Sequence, residues 1–397
     1  MKDILGCISG LLVVISLFAA RAQPTDPLDN WTPIGASIGG RGMAYRDGRF
    51  VSVGWSTNIA TSSNGVDWIL VPSGSKNYFL MSVTAGPDQF VATGVEFGAQ
   101  TPLILTSSNG LQWTTNLLII PPRLYGELWG VTYGGGRFVA VGFVDDIAGG
   151  SLAATSTNGI EWDLVPVPIK TTPRCVEYGN GVYVSGGGPI AMVSTNGRDW
   201  APLASVLGCS GVAFGAGQFV AVCSTNGYTS SNGVDWTQMR LPGNSISQTY
   251  YTARYANGLF LASGQAETPG GLLVTSSNGT SWSSHRFGSN AVGVIRDILH
   301  VDGVFYLADN GTGKIWRSGR MLPASRPQFT GITHANGQTD LSFSAEPGFH
   351  YRLECTDHLN SPQWAPCGDR LFGSSRNLTA TDPQADVPAR FYRLRTD

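Results

Sequence analysis

The sequence predicts an all-β chain assembled from repeated four-stranded units, and three observations carry that reading. Of 397 residues, 52 are glycine, 42% are hydrophobic and 13% are charged, a composition of tight turns and short strands around a substantial core. The stretch Thr61-Ser-Ser-Asn-Gly-Val-Asp-Trp68 recurs five more times, from Thr106 to Trp113, Thr155 to Trp162, Val193 to Trp200, Thr229 to Trp236 and Thr275 to Trp282. Upstream sits a second phrase, typified by Val131-Thr-Tyr-Gly-Gly-Gly-Arg-Phe-Val-Ala-Val-Gly142, which occurs seven times. Repetition at a fixed period is the mark of stacked or circular supersecondary units.

Taken in order, residues 1–22 read as a secretory leader: Lys2, the apolar run Ile8 to Ala20, then Ala20-Arg21-Ala22 as a cleavage site before Gln23. That run is short for a membrane span, and no later stretch of about 20 apolar residues follows, so the mature chain is expected to be exported and without a transmembrane segment. The formal net charge of −2 supplies no general basic field, which argues against nucleic acid as a partner.

The seven copies of the second phrase are centred on Phe50, Phe90, Phe138, Tyr183, Phe219, Phe260 and Phe305. Five positions earlier, without a gap, stand Tyr45, Ala85, Tyr133, Tyr178, Phe214, Tyr255 and His300. Ungapped spacing and alternation around a Gly-rich turn predict a β-hairpin. A third strand leads into Ser-Ser-Asn-Gly, and a fourth carries Trp68, Trp113, Trp162, Trp200, Trp236 or Trp282. Four strands in roughly 40 to 45 residues describe a propeller blade. Seven hairpins predict a seven-bladed β-propeller over residues 28–320. The seventh hairpin lacks a Trp strand, while Asp29-Asn-Trp-Thr-Pro33 resembles one without a hairpin of its own. Trp31 is therefore expected to close the last blade, removing the edge that an open array would expose.

The repeated turn resembles a degenerate Asp-box, the Ser-x-Asp-x-Gly-x-x-Trp turn of bacterial neuraminidase repeats and related secreted propellers. Gly65 and Trp68 keep that spacing, Ser63 stands at the Asp position and Asn64 follows. The resemblance covers residues 28–320 and implies a structural turn away from the functional face. The residues agree: Asn and Gly supply the positive φ of a tight turn, and Trp packs between blades.

Residues 321–327 read as a linker. Beyond it, 328–397 alternate like strands in Thr339 to Ser344, His350 to Cys355 and Arg390 to Arg395, predicting a small β-sandwich. The phrases Gly348 to Asp357, Trp364 and Arg390-Phe-Tyr-Arg-Leu394 resemble the C-terminal modules of planctomycete and verrucomicrobial exported proteins. For that family, attachment, sorting and carbohydrate contact are all open roles.

Few residues carry recognisable chemistry. Cys209 and Cys223 lie seven residues to either side of a hairpin centre at Ala216, which allows a cross-strand disulfide with Cα atoms roughly 4.4 to 6.8 Å apart, or two buried thiols. Cys355 and Cys367 are the other candidate pair, leaving Cys175 over. Asp145-Asp146 falls far short of the ligand set of a Ca²⁺ site, so no metal is assigned, and no motif calls for a cofactor. Gly35-Ala-Ser-Ile-Gly39 spells a nucleophile elbow but lacks its strand-to-helix setting, so Ser37 is read as a chance match. His300 takes an aromatic slot and is read as core.

A sharper signal comes from aligning the hairpins by column. Nine positions before each centre, at the start of the first strand, stand Arg41, Met81, Trp129, Arg174, Ser210, Tyr251 and Arg296. First strands are innermost in a propeller, so these residues are expected to ring the channel mouth on the long-loop face. Guanidinium groups grip carboxylate, sulfate or phosphate, and Trp or Tyr can stack on sugars. Arg41, Trp129, Arg174, Tyr251 and Arg296 form the candidate ligand site. The alternative is that these arginines pair with carboxylates of neighbouring blades or stack on aromatic rings there. Three arginines also hold the sialic-acid carboxylate in neuraminidases, but the six blades, Arg-Ile-Pro phrase and catalytic set of those enzymes have no counterpart here, and no catalytic residue is assigned. Tyr250 or Tyr251 with Glu127 or Glu177 is conceivable as nucleophile and base, though the spacing does not require it. Three functions are carried forward: a non-catalytic exported propeller binding a glycan or extracellular protein, a glycoside hydrolase or lyase acting on an acidic polysaccharide, and an envelope assembly factor.

Overall fold

The computed structural model describes residues 26–34 and 40–396 apart from short loop stretches (56–57, 74–77, 99, 119, 121–123, 146–149, 204–207, 225, 244–247, 267–269, 288–291, 324–325, 336, 360, 374–376 and 384–389), together with the strands at 2–8 and 11–17. The expected cleavage site, Ser37 and Asp146 lie outside the described residues. The chain divides into two units, one holding 28–299 and 305–319, the other 1–27, 300–304 and 320–397.

The larger unit is a succession of four-stranded antiparallel meanders. Sheet one consists of Gly40–Arg46, Arg49–Gly54, Asn58–Ser62 and Ile69–Pro72. Five more follow in the same order, beginning at Tyr78–Ala85, Tyr125–Gly134, Cys175–Gly179, Cys209–Gly215 and Thr249–Ala256. Sheet seven takes Ile295–Val301, Val304–Asp309 and Ile315–Arg320 from the end of the repeat and Trp31–Ile34 from its beginning. Trp31 pairs with Ser318 and Ile34 with Ile315, and the Trp31 side chain is 4% exposed with its indole N–H donating to the Leu28 carbonyl at 2.6 Å.

The first hairpin turns as the sequence implies in six of the seven sheets, the exception being the second, at residues 86–89. Positive φ at both central positions, as in Asn180–Gly181, Asn257–Gly258 and Asp302–Gly303, matches the right-handed twist of the flanking strands. Behind the turns, Tyr45 and Phe50, Tyr133 and Phe138, Phe214 and Phe219, and Tyr255 and Phe260 pack with ring centroids 4.6 to 4.7 Å apart. The repeat tryptophans join clusters that span successive sheets: Trp113 packs on Val51 and Phe90, Trp162 on Val91 and Phe138, Trp236 on Val184 and Phe219. That is the between-sheet packing expected of them.

The Asn-Gly turn departs in detail from the Asp-box register. Ser62 rather than Ser63 accepts the Gly65 N–H (2.9 Å), and the Asn64 side-chain oxygen accepts those of Val66 (2.9 Å) and Asp67 (2.8 Å). An amide oxygen thus does the work of a carboxylate, one residue later than expected. The same set recurs at Ser107 and Asn109, Ser194 and Asn196, and Ser230 and Asn232.

The smaller unit holds a three-stranded sheet (Phe329–Ala335, Gln338–Ser344, Asn377–Asp382) and a second sheet in which Phe391–Thr396 and Ala365–Phe372 flank His350–Thr356. Phe343 and Leu341 of one and Tyr351, Leu353 and Tyr392 of the other share one core, as a sandwich requires. Lys2–Ile8 and Leu11–Leu17 form a hairpin that adds to the free edge of Phe391–Thr396. His300 is buried with its ring 4.9 Å from that of Phe349, and burial lowers its pKa to about 4, in keeping with a core role.

Cys209 and Cys223 are directly opposed and disulfide-bonded, with Cα atoms 3.8 Å apart, closer than the expected window. The second candidate pair is corrected: Cys355 and Cys367 are free thiols, as is Cys175. A register shift between Arg352 and Glu354 sets Ala365, not Cys367, opposite Cys355, so the two sulfurs meet diagonally near Asp382 without a bond.

Candidate functional site

In five sheets the first strand carries a defect that the column alignment does not reveal. Strand pairing slips by one residue between Gly40 and Gly42, Leu80 and Ser82, Leu128 and Gly130, Cys209 and Gly211, and Tyr250 and Thr252. The extra residue in each case is the column residue: Arg41, Met81, Trp129, Ser210 or Tyr251. A β-bulge rotates its residue out of the pleat and re-aims the side chain. Arg174 reaches its place just before Cys175–Gly179, its N–H bonded to the Gly186 carbonyl at 2.7 Å, and Arg296 lies within Ile295–Val301. The residue after each bulge is small because neighbouring first strands nearly touch: a Cβ on Gly42 would come within 2.9 Å of the Val83 nitrogen, and one on Gly130 within 3.0 Å of the Arg174 carbonyl oxygen.

All seven column residues line one cavity of about 80 Å³. A water needs on the order of 10 to 15 Å³ on this measure, so the space suits several waters or a small oxyanion. The ring sits at the end of the sheets opposite the Asn-Gly turns, because strand starts and hairpin tips lie at opposite ends of a meander.

Within the cavity the arginines face aromatic rings. The Arg41 guanidinium carbon lies 4.8 Å from the Trp55 ring centre and 5.3 Å from that of Trp129. Arg174 lies 5.0 Å from Trp129, and Arg296 only 3.7 Å from Tyr251. Among the described residues none of the three makes an ion pair with a carboxylate. Of the two structural alternatives, aromatic stacking is present and carboxylate pairing is not. Burial, followed by repulsion from Arg296 and Arg174, lowers the Arg41 pKa to about 10, with Glu127 offsetting part of it. Burial likewise raises the Glu127 carboxyl pKa, and Trp129, Arg41 and Arg174 pull it back, although the indole N–H approaches it without a hydrogen bond of good geometry.

A second layer borders the ring. Arg254 donates to Asp297 at 2.8 Å and lies 4.0 Å from Glu177. Asp297 also accepts the backbone N–H groups of Met43 and Ile298, both at 2.9 Å. One carboxylate thereby links the first strands of sheets six, seven and one. Glu177 accepts from the Tyr178 N–H at 3.1 Å, and burial raises its pKa to about 7 against the pull of Arg254.

The sequence reading named Glu177 only as a conceivable base and missed Arg254, Asp297 and Trp55. A signal existed for this layer: Glu177 and Arg254 both stand six positions before a hairpin centre, and Asp297 follows its ring residue where other repeats carry Gly, Ser, Cys or Thr. Trp55 lies beyond the ungapped part of the repeat and belongs to no column.

No family model and no curated protein matches the sequence. Among solved structures the chain is similar to a streptogramin B lyase (TM-score 0.58, 13% identity, 73% of this chain and 97% of the other). It is also similar to YCF48 bound to D1 peptide (0.53, 15%, 76% and 99%) and to the WD40 β-propeller domain of Doa1 (0.51, 12%, 72% and 94%). At such identities the likeness shows the fold alone, a β-propeller.

Proposed function

We propose that the chain is an exported, non-catalytic binding protein that takes an anionic group of a glycan or extracellular protein into the arginine-lined cavity of a seven-bladed propeller. Seven four-stranded sheets support the blade count. Pairing of Trp31–Ile34 with Ile315–Arg320 supports closure, as do the Asp297 contacts to Met43 and Arg254 and the packing of Phe50 on Tyr306 with centroids 5.1 Å apart. The leader at 1–22 is the basis for export.

One observation carries the binding reading: Arg41, Arg174 and Arg296 converge in one cavity and, among the described residues, none makes a carboxylate ion pair, Glu127 acting on Arg41 and Arg174 without one. Like charges held together in a part-buried site cost free energy, and an oxyanion relieves that cost while accepting charge-assisted hydrogen bonds. Calorimetry with the purified mature chain and a panel of carboxylate- and sulfate-bearing saccharides and peptides tests it. Arg174→Ala is expected to weaken binding by about 1.5 to 3 kcal/mol while leaving the thermal midpoint in place. A drop in stability without a binding defect assigns the ring to packing instead.

Glu177 favours a second reading. A carboxyl held near pH 7 suits a general acid, which is what a hydrolase acting on an acidic polysaccharide would use. Against it, Asp297 is fully engaged by Arg254 and two backbone N–H groups, leaving it poorly placed as the second carboxylate. Reducing-end release from any bound polysaccharide decides between the two.

A further inference from the structure

We propose that the ring is one half of a longer site, and that Trp55, Phe79 and Phe97 form an aromatic subsite continuous with it for a chain of acidic sugars. This rests on the reading of the ring as an anion site and adds the ligand class.

The three aromatics lie at the ring's end of their sheets. Trp55 follows Arg49–Gly54, Phe97 follows Phe90–Glu96, and Phe79 stands at the start of Tyr78–Ala85. Trp55 stacks on Phe79 with centroids 5.6 Å apart and planes 25° from parallel, and Phe97 meets Phe79 edge-on at 4.5 Å. Trp55 is 52% and Phe97 42% exposed, and among the described residues no other aromatic side chain is classed as exposed. Aromatic surface held open in this way has lost nothing by waiting for a flat apolar partner and gains by burying one.

The platform is joined to the cavity by Arg41, which lies over Trp55 at 4.8 Å and over Trp129 at 5.3 Å, while Arg174 shares the Trp129 ring at 5.0 Å. A run of three rings, Phe97, Phe79 and Trp55, therefore leads into an alternation of cations and rings through Arg41, Trp129 and Arg174. An acidic polysaccharide offers the complementary alternation, a C–H face on each pyranose and a carboxylate or sulfate at regular intervals. A guanidinium stacked on an indole keeps its N–H donors in the plane of its edge; one of Arg41's nitrogens donates to the Met81 sulfur at 2.6 Å, and the other donors can hold an anion while the face is covered. An acidic peptide satisfies the arginines, but its carboxylates ride on flexible side chains and bring no rigid flat face to Trp55.

The test uses the full mature chain and calorimetry with uronate- and sulfate-bearing tetrasaccharides, their acidic monosaccharides, neutral tetrasaccharides and an oligo-Asp peptide. The expected result is an acidic tetrasaccharide bound at least tenfold more tightly than its monosaccharide. Phe97→Ala should remove most of that difference and leave monosaccharide affinity within about twofold, whereas Trp55→Ala, which also uncovers Arg41, should remove the difference and weaken the monosaccharide as well, with Trp55→Phe restoring part of both. Arg296→Ala should weaken both ligands. If tetrasaccharide and monosaccharide bind equally, or both aromatic variants bind like the parent, the platform is overturned and the ring reading stands. Binding of the peptide but of no acidic sugar overturns the glycan assignment alone. If no anion binds, the ring reading falls with it.

Discussion

Two sets of arginines in this chain have opposite surroundings. In the smaller unit, Arg393 donates to Glu354 at 2.6 Å with both residues buried, and its guanidinium lies 4.4 Å from the Trp364 ring centre. Arg390 donates to Asp357 and Asp382, both at 2.9 Å. In the propeller, Arg41, Arg174 and Arg296 have aromatic rings and one another, Arg41 also donates to the Met81 sulfur, and among the described residues none has a carboxylate ion pair. An arginine with acid and ring both supplied is finished by the fold, whereas one with the ring alone retains donors for something else. Stacking in both places shows that an aromatic neighbour does not mark a binding arginine; the carboxylate decides.

The contrast predicts a ladder of effects. Arg393→Ala strips buried Glu354 of its closest partner and leaves it only Arg395 at 3.5 Å, so the smaller unit should lose about 2 to 4 kcal/mol of stability, read by urea unfolding, with ligand affinity unchanged. A loss below about 1 kcal/mol would erase the distinction between the two sets.

The second effect is on pH. Burial raises the Glu177 pKa to about 7, above the ordinary 4.5, so the folded state binds a proton more tightly than the unfolded chain. Stability from this group is present in full below the unfolded pKa and is lost as pH rises from about 4.5 towards 7, by about 1 to 2 kcal/mol after screening. Glu177→Gln should flatten that part of the stability profile. A parallel slope in parent and variant would remove Glu177 as its source.

The smallest effect is the most telling. Arg296→Met, which keeps apolar contact with Tyr251 and removes one of three like charges, should change stability by less than about 0.5 kcal/mol in either direction. Its thermal midpoint should stay with the parent's while anion affinity drops. A destabilisation matching that of Arg393→Ala would place Arg296 with the structural set.

The sequence by itself determined the repeat, the hairpins and their aromatic pairs, the orphan strand at Trp31 and the ring column, because each depends on spacing along a ladder or on turn chemistry, which are local. Local chemistry also set Cys209 and Cys223 opposite each other across an ungapped hairpin, leaving a bond and two buried thiols both open until the structure decided for the bond. Tertiary structure decided the rest. Whether Arg41 or Arg393 has a carboxylate beside it depends on strands far away in sequence, and no spacing encodes that. The bulges that aim Arg41, Trp129 and Tyr251 inward are one-residue slips in pairing between strands, invisible in either strand alone. The diagonal offset of Cys355 and Cys367 has the same origin. Trp55 and Phe97 escaped because they lie where loop lengths vary and the repeat no longer aligns, which is also where a common scaffold leaves room for a ligand of its own.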